Sequence, residues 1–197
     1  MYAVNNPLKF VDLDGQDPFL CARPLGGDPN SSISHMFVVT GASRPGDPAA
    51  TSNVKSWGMK DSAKPGRGKT GRVDERTTNK QSAGTNETDK KAWVSAGQPG
   101  SSTSCTPIPA TDAKVEQSAG ALMETKDYAA LGGPFGVNSN SAAQGVANDA
   151  AGKEVASPGD RKPVGSGQAD EVDFDKDQDG KPDPKGGGPV QRIDDKR

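Results

Sequence analysis

The sequence predicts a small α+β domain, loop-rich, with a short antiparallel sheet and two helices, flanked by disordered segments. Three observations carry that expectation. The run His35-Met-Phe-Val-Val-Thr-Gly41 is β-branched and aromatic and is bounded by Ser and Gly, a strand signal. Two later stretches place apolar residues at helical spacing. The chain is also poor in core-forming side chains. Its 6 Leu, 3 Ile, 14 Val and 5 Phe make about 14% of 197 residues, below the roughly 20% under which a chain struggles to fill a core. With 25 Gly and 16 Pro, the remainder favours loops.

In chain order, Asn5-Asn6-Pro7 is a turn signal, Leu8-Lys-Phe-Val11 a short strand and Asp12-Leu-Asp-Gly15 the turn closing it. Such a hairpin end has little to bury and needs a partner sheet. Residues 17–34, with Pro18, Pro24 and Pro29, read as a linker. Residues 35–41 are the strongest strand, and Asn53-Val-Lys-Ser-Trp57 is a second. Residues 60–90 are charged and nearly free of apolar groups, which predicts a disordered insertion. Lys91-Ala-Trp-Val-Ser95 is a third strand candidate. One helix is predicted from Asp112 to Ala130, capped by Thr111 or Asp112, with Val115, Ala119, Leu122 and Met123 as its stripe. A second runs from Ser141 to Ala151, capped by Asn140 and stopped by Gly152. Residues 153–197 are Gly-, Pro- and Asp-rich and read as a tail.

The formal net charge of −2 provides no electrostatic footprint for nucleic acid. No apolar run approaches a membrane span, and no signal peptide opens the sequence. Cys21 and Cys105 are too few for a disulfide scaffold and lack metal-site spacing; one disulfide or two free thiols both fit.

Tyr2, Asn5, Asn6, Pro7, Leu8, Phe10, Val11, Asp12 and Gly15 together resemble the closing signature of the RHS-repeat core of bacterial polymorphic toxins, with Leu13 and Gln16 off its usual pattern. The resemblance covers residues 1–16 and implies that the chain beyond Gln16 is a variable C-terminal cargo. It implies partners in the RHS shell of the parent protein and in a cognate immunity protein. It also implies delivery to a target cell inside that shell, and self-cleavage near Gln16 with Asp12 as the acid involved.

Within residues 35–152, the strand-borne Ser-His35-Met-Phe-Val-Val and the later Gly133-Pro-Phe-Gly-Val-Asn-Ser-Asn-Ser-Ala-Ala-Gln144 resemble permuted papain-like domains of the NlpC and lecithin-retinol-acyltransferase type. In that pattern a histidine base comes first and a helix start brings the nucleophile later. His35 then corresponds to the base, and Ser139 stands where the family places cysteine. Cys105 is a further thiol in the region. The implied chemistry is cleavage or transfer of amide or ester bonds, since an imidazole beside a helix N-terminus can activate a thiol or hydroxyl. The competing expectations are a non-enzymatic partner- or calcium-binding tail that folds on binding, and a degraded, inactive cargo.

Asp175-Lys-Asp-Gln-Asp-Gly-Lys-Pro-Asp183 places Asp175, Asp177, Asp179 and Asp183 at positions 1, 3, 5 and 9 of a calcium loop, with Gly180 at the turn. Gly186 stands where a bidentate Glu would close the loop, so weak Ca²⁺ binding is expected. Gly66-Arg-Gly-Lys-Thr70 fails as a phosphate loop, because Ala63 occupies its first glycine position and no apolar strand precedes it.

Overall fold

The computed structural model describes residues 17–28, 31, 33–64, 67–73, 80–123, 128, 137–159, 163 and 166–183. A five-stranded antiparallel sheet forms the centre, with strands in the order β4-β3-β2-β1-β5. These are β1 (Asp17–Pro24), β2 (Ser34–Ala42), β3 (Val54–Lys64), β4 (Arg67–Val73) and β5 (Ser104–Pro107). Among the described residues three α-helices complete the α+β domain: α1 (Lys80–Ala96), α2 (Asp112–Ala121) and α3 (Ser139–Ala151).

Strand alternation sorts the side chains onto two faces. Phe19 and Cys21 of β1, Phe37 and Val39 of β2 and Val54 of β3 pack with Trp93 of α1. Leu20, Ala22, Met36, Val38 and Trp57 point the other way, against Val115 and Ala119 of α2 and Ala142, Ala143, Val146 and Ala147 of α3. The sheet is therefore covered on both sides. Small side chains on α3 let its axis lie close to the strands, so modest apolar content still yields a sealed layer.

Several expectations are corrected by this arrangement. The stretch 17–34 is not a linker, since it supplies β1, which lies between β2 and β5. The stretch 60–90 is not a disordered insertion over its described residues: it completes β3, forms β4 and begins α1. Residues 91–95 are not a strand but the last turns of α1. Their short apolar run is ambiguous alone, whereas Asn86, Asp89 and Trp93 recur at i, i+3 and i+7 and are all buried, with Val94 exposed. Helix α2 ends at Ala121 and not at Ala130, because the chain there pairs with the C-terminal segment. Met123 N donates to Asp173 O at 2.9 Å and Asp175 N to Ala121 O at 2.8 Å, flanking a bridge between Leu122 and Phe174.

That pairing also revises the tail. Val155, Ala169 and Val172 are buried, and a 3-10 turn over Ser166–Glu171 lies on α3. It approaches so closely that a Cβ on Gly145 would sit 3.2 Å from Ala169 O. The strand predicted at 35–41 and the αL stop at Gly152, with φ 64°, are both present.

Candidate functional site

The polar centre of the molecule lies on the α1 face of the sheet. Asp89 is fully buried. Its Oδ1 takes the Nε–H of Arg23 from β1, and its Oδ2 takes a hydrogen bond from Ser56 Oγ of β3 at 2.6 Å. The same Oδ2 lies 3.0 Å from His35 Nε2 of β2. Asn86, one helical turn before Asp89, reaches Ser56 Oγ and Val73 O, each at 3.4 Å. Arg23 and His35 are direct cross-strand partners in the β1–β2 register, so one carboxylate lowered from α1 meets both. A carboxylate excluded from water is tolerable only when paired and hydrogen-bonded, and here three strands supply the partners.

A carboxylate can only accept, so Nε2 of His35 carries the hydrogen in this contact. In the Nε2–H tautomer the ring's acceptor is Nδ1. This is the orientation that a general base requires: one nitrogen fixed by an acid, the other able to take a proton.

The start of α3 is built beside the same strand. Asn138 caps the helix, its Oδ1 accepting from Asn140 N at 2.9 Å and Ser141 N at 3.0 Å, while Ser141 Oγ returns to Asn138 N. This reciprocal capping explains why the helix begins at Ser139 and not at Ser141. It frees Asn140 for another task. Its Nδ2 donates to Ser34 O at 2.9 Å and its Oδ1 accepts from Met36 N at 2.7 Å, bracketing His35 along the strand. The amide thereby occupies the edge of β2 where pairing to β3, present at Val38–Lys55 and Val39–Val54, does not extend.

Ser139 is 6% exposed and its hydroxyl bonds Tyr128. Burial raises the Tyr128 phenol above its ordinary value, with the Ser139 bond opposing. Thus His35 and Ser139 belong to one region of the fold. The His35 side chain, however, points to the α1 face with Phe37, whereas α3 packs against the Met36 face.

Cys105 is excluded as a nucleophile, because it is disulfide-bonded to Cys21. Asp175, Asp177 and Asp179 converge, with one oxygen from each within 4.8 Å of the others. Asp183 stands apart from that group, its Oδ2 accepting from Lys176 N at 2.9 Å. Asp12 and Gln16 lie outside the described residues. Asp89, Arg23 and Ser56 escaped the sequence reading. The signal that could have found Asp89 is its spacing to Trp93 on one helical face; Arg23 and Ser56 become visible only once the strand register is known.

Comparison with protein-family models, with curated proteins and with solved structures finds no match to this chain. No helix among the described residues is long and apolar enough to cross a membrane.

Proposed function

We propose that this chain is the C-terminal cargo of an RHS-type toxin whose domain cleaves or transfers amide or ester bonds, with His35 as general base and Asp89 orienting it. The observation that carries this reading is the buried His35–Asp89 pair, 3.0 Å apart on separate elements, beside a capped helix start whose Asn140 brackets His35. Ser139 is not given the nucleophile's part, because α3 packs on the face of the sheet opposite the His35 side chain; His35 would instead take a proton from a hydroxyl or water on its own face. The RHS assignment rests on the signature at residues 2–15. A cognate immunity protein and the parent RHS shell are its expected partners.

A polar clamp fixing α1 to the sheet would use the same contacts, so the test separates chemistry from folding. His35→Gln retains hydrogen-bonding capacity and should keep cooperative melting while losing killing of cells that lack the immunity protein. Undiminished killing by a folded His35→Gln would overturn the assignment.

Convergence of Asp175, Asp177 and Asp179 favours a second, separable property, weak Ca²⁺ binding. Without a closing Glu, a dissociation constant near the roughly 10⁻⁴–10⁻³ M range is expected, with Mg²⁺ a poor substitute. Amide signals of these three residues, followed by NMR during a calcium titration, should shift. Stationary signals up to millimolar calcium would reduce the motif to an acidic loop.

A further inference from the structure

We infer that the Cys21–Cys105 disulfide is a redox lock on the His35–Asp89 pair, restricting the active domain to oxidising compartments. The inference rests on the acyl-chemistry reading above and adds the place where the substrate must lie: outside a reducing cytosol. The two cysteines are directly opposite in the β1–β5 register. They lie 84 positions apart in sequence, and the chain between them includes β2, β3, β4 and α1. Cys21 is fully buried in the α1-face cluster with Phe19, Phe37 and Trp93, and Cys105 packs against that cluster from the partly exposed side.

Two features make this bond a control point. The first is the shortness of β5. Among the described residues it is a four-residue edge strand paired to β1 alone, it ends at Pro107, which has no N–H to donate, and beyond it Ile108 N gives one further bond to Pro18 O at 2.8 Å. The second is proximity to the site. Arg23, which pairs Asp89, comes two residues after Cys21 on the same strand and the same face. Asp89 precedes Trp93 by one turn of α1, and Trp93 packs on Phe19 with ring centroids 6.0 Å apart. Loss of the bond loosens β5 at Cys105, on the partly exposed side of the cluster that seats α1, and with it the carboxylate that orients His35.

Opening proceeds by ordinary exchange. A reductant thiolate attacks Sγ of Cys105, the more accessible sulfur, and Cys21 leaves as a thiolate that takes up a proton. A second reductant thiol then resolves the mixed disulfide. Two reductant thiols thereby become one disulfide, and two electrons and two protons pass to Cys21 and Cys105.

The test uses the full chain, oxidised, reduced with dithiothreitol, and as the Cys21→Ala/Cys105→Ala double variant. The single histidine makes its imidazole NMR signals unambiguous. Reduction and the double variant should each shift those signals and lower the melting temperature by about 10 °C. Wild-type cargo should kill when directed to the periplasm of cells lacking immunity, and fail when expressed in their cytosol. Melting within about 2 °C of the oxidised form together with unmoved histidine signals would overturn the lock, as would equal killing from both compartments. Because the NMR and melting arms need no activity, a failure of the acyl-chemistry reading would not be mistaken for a failure of the lock.

Discussion

The two faces of the sheet are held by different physics. On the α2–α3 face, strand residues Leu20, Met36, Val38 and Trp57 meet alanines and valines of the helices, the buried polar contacts of Asn140 and Gln144 are uncharged, and charged contacts sit at the periphery. There Ser118 Oγ reaches Asp149 at 2.6 Å, and Lys176 Nζ reaches the other oxygen of Asp149 at 2.7 Å. On the α1 face the apolar layer stops short. Beyond Phe37 and Trp93 the helix is joined to three strands by a buried carboxylate, an arginine, the only histidine and a serine. A face closed by packing fails gradually when a methyl group is removed, since neighbours relax into the gap. A face closed by a buried ion pair fails sharply, because the remaining partners stay desolvated and unpaired.

The comparison makes its largest demand on Asp89. Asp89→Ala strands Arg23 and His35 in a buried site and should cost about 3–5 kcal/mol, lowering the melting temperature by roughly 10 °C. Thermal unfolding followed by circular dichroism measures this directly. A loss under about 1 kcal/mol would mean that the α1 face is held by Trp93 and its neighbours alone. The isosteric Asp89→Asn separates charge from shape and should cost less, because an amide oxygen still accepts from Ser56.

The same contrast explains what could be read in advance. Strand β2 was legible because Met36 to Val39 form an unbroken apolar run, and α3 because its small-residue stripe and its αL stop at Gly152 are local features. Helix α1 was not. Its sequence, Lys80–Ala96, turns Asn86 and Asp89 inward, where a pattern search expects Leu or Val. The burial of Asp89 is stabilised by Arg23, His35 and Ser56, which lie 33 to 66 residues away in sequence. Local periodicity carries no trace of such partners. The strand β1 was hidden for a related reason: Pro18, Pro24 and Gly26 flank or enter the segment and signal loop, while its position between two strands is a tertiary fact. At the site, His35 and the helix start were visible as motifs, but Asp89 was not, and neither was the direction in which His35 points.

On the packed face the effects should be smaller and graded. Val172 presses on Gly145 of α3 from the C-terminal segment, with its Cγ2 3.3 Å from where a Cβ would stand. Val172→Ala should cost about 1–2 kcal/mol if that segment belongs to the domain core; a neutral result would return it to the status of a tail. Asn138→Ala removes the acceptor for the first α3 amides and should cost about 1 kcal/mol. It should also loosen Asn140 from Ser34 and Met36, which backbone amide exchange at Met36 would report as faster exchange.

The smallest effect belongs to Glu116, at the margin of the α2 face. Burial pushes its carboxyl up, but hydrogen bonds from Lys55 Nζ at 2.7 Å and Thr40 Oγ1 at 2.6 Å, with the charges of Lys55 and Arg72, outweigh this and hold it below its ordinary value. A carboxylate whose folded value is depressed adds stability that is present above the unfolded value and is lost as pH falls through the folded one. Glu116→Gln keeps an acceptor oxygen and removes only the charge. Since the side chain is about half exposed, solvent screening limits the loss to about 0.5 kcal/mol at pH 7, or roughly 1–2 °C in melting temperature. Parallel melts from pH 7 to pH 3 should show the two proteins converging as the wild-type carboxyl protonates. A gap that persists at pH 3 would show that the glutamate acts by shape and hydrogen bonding. The charge pairing that distinguishes the α1 face would then have no counterpart at the Glu116 margin of the opposite face.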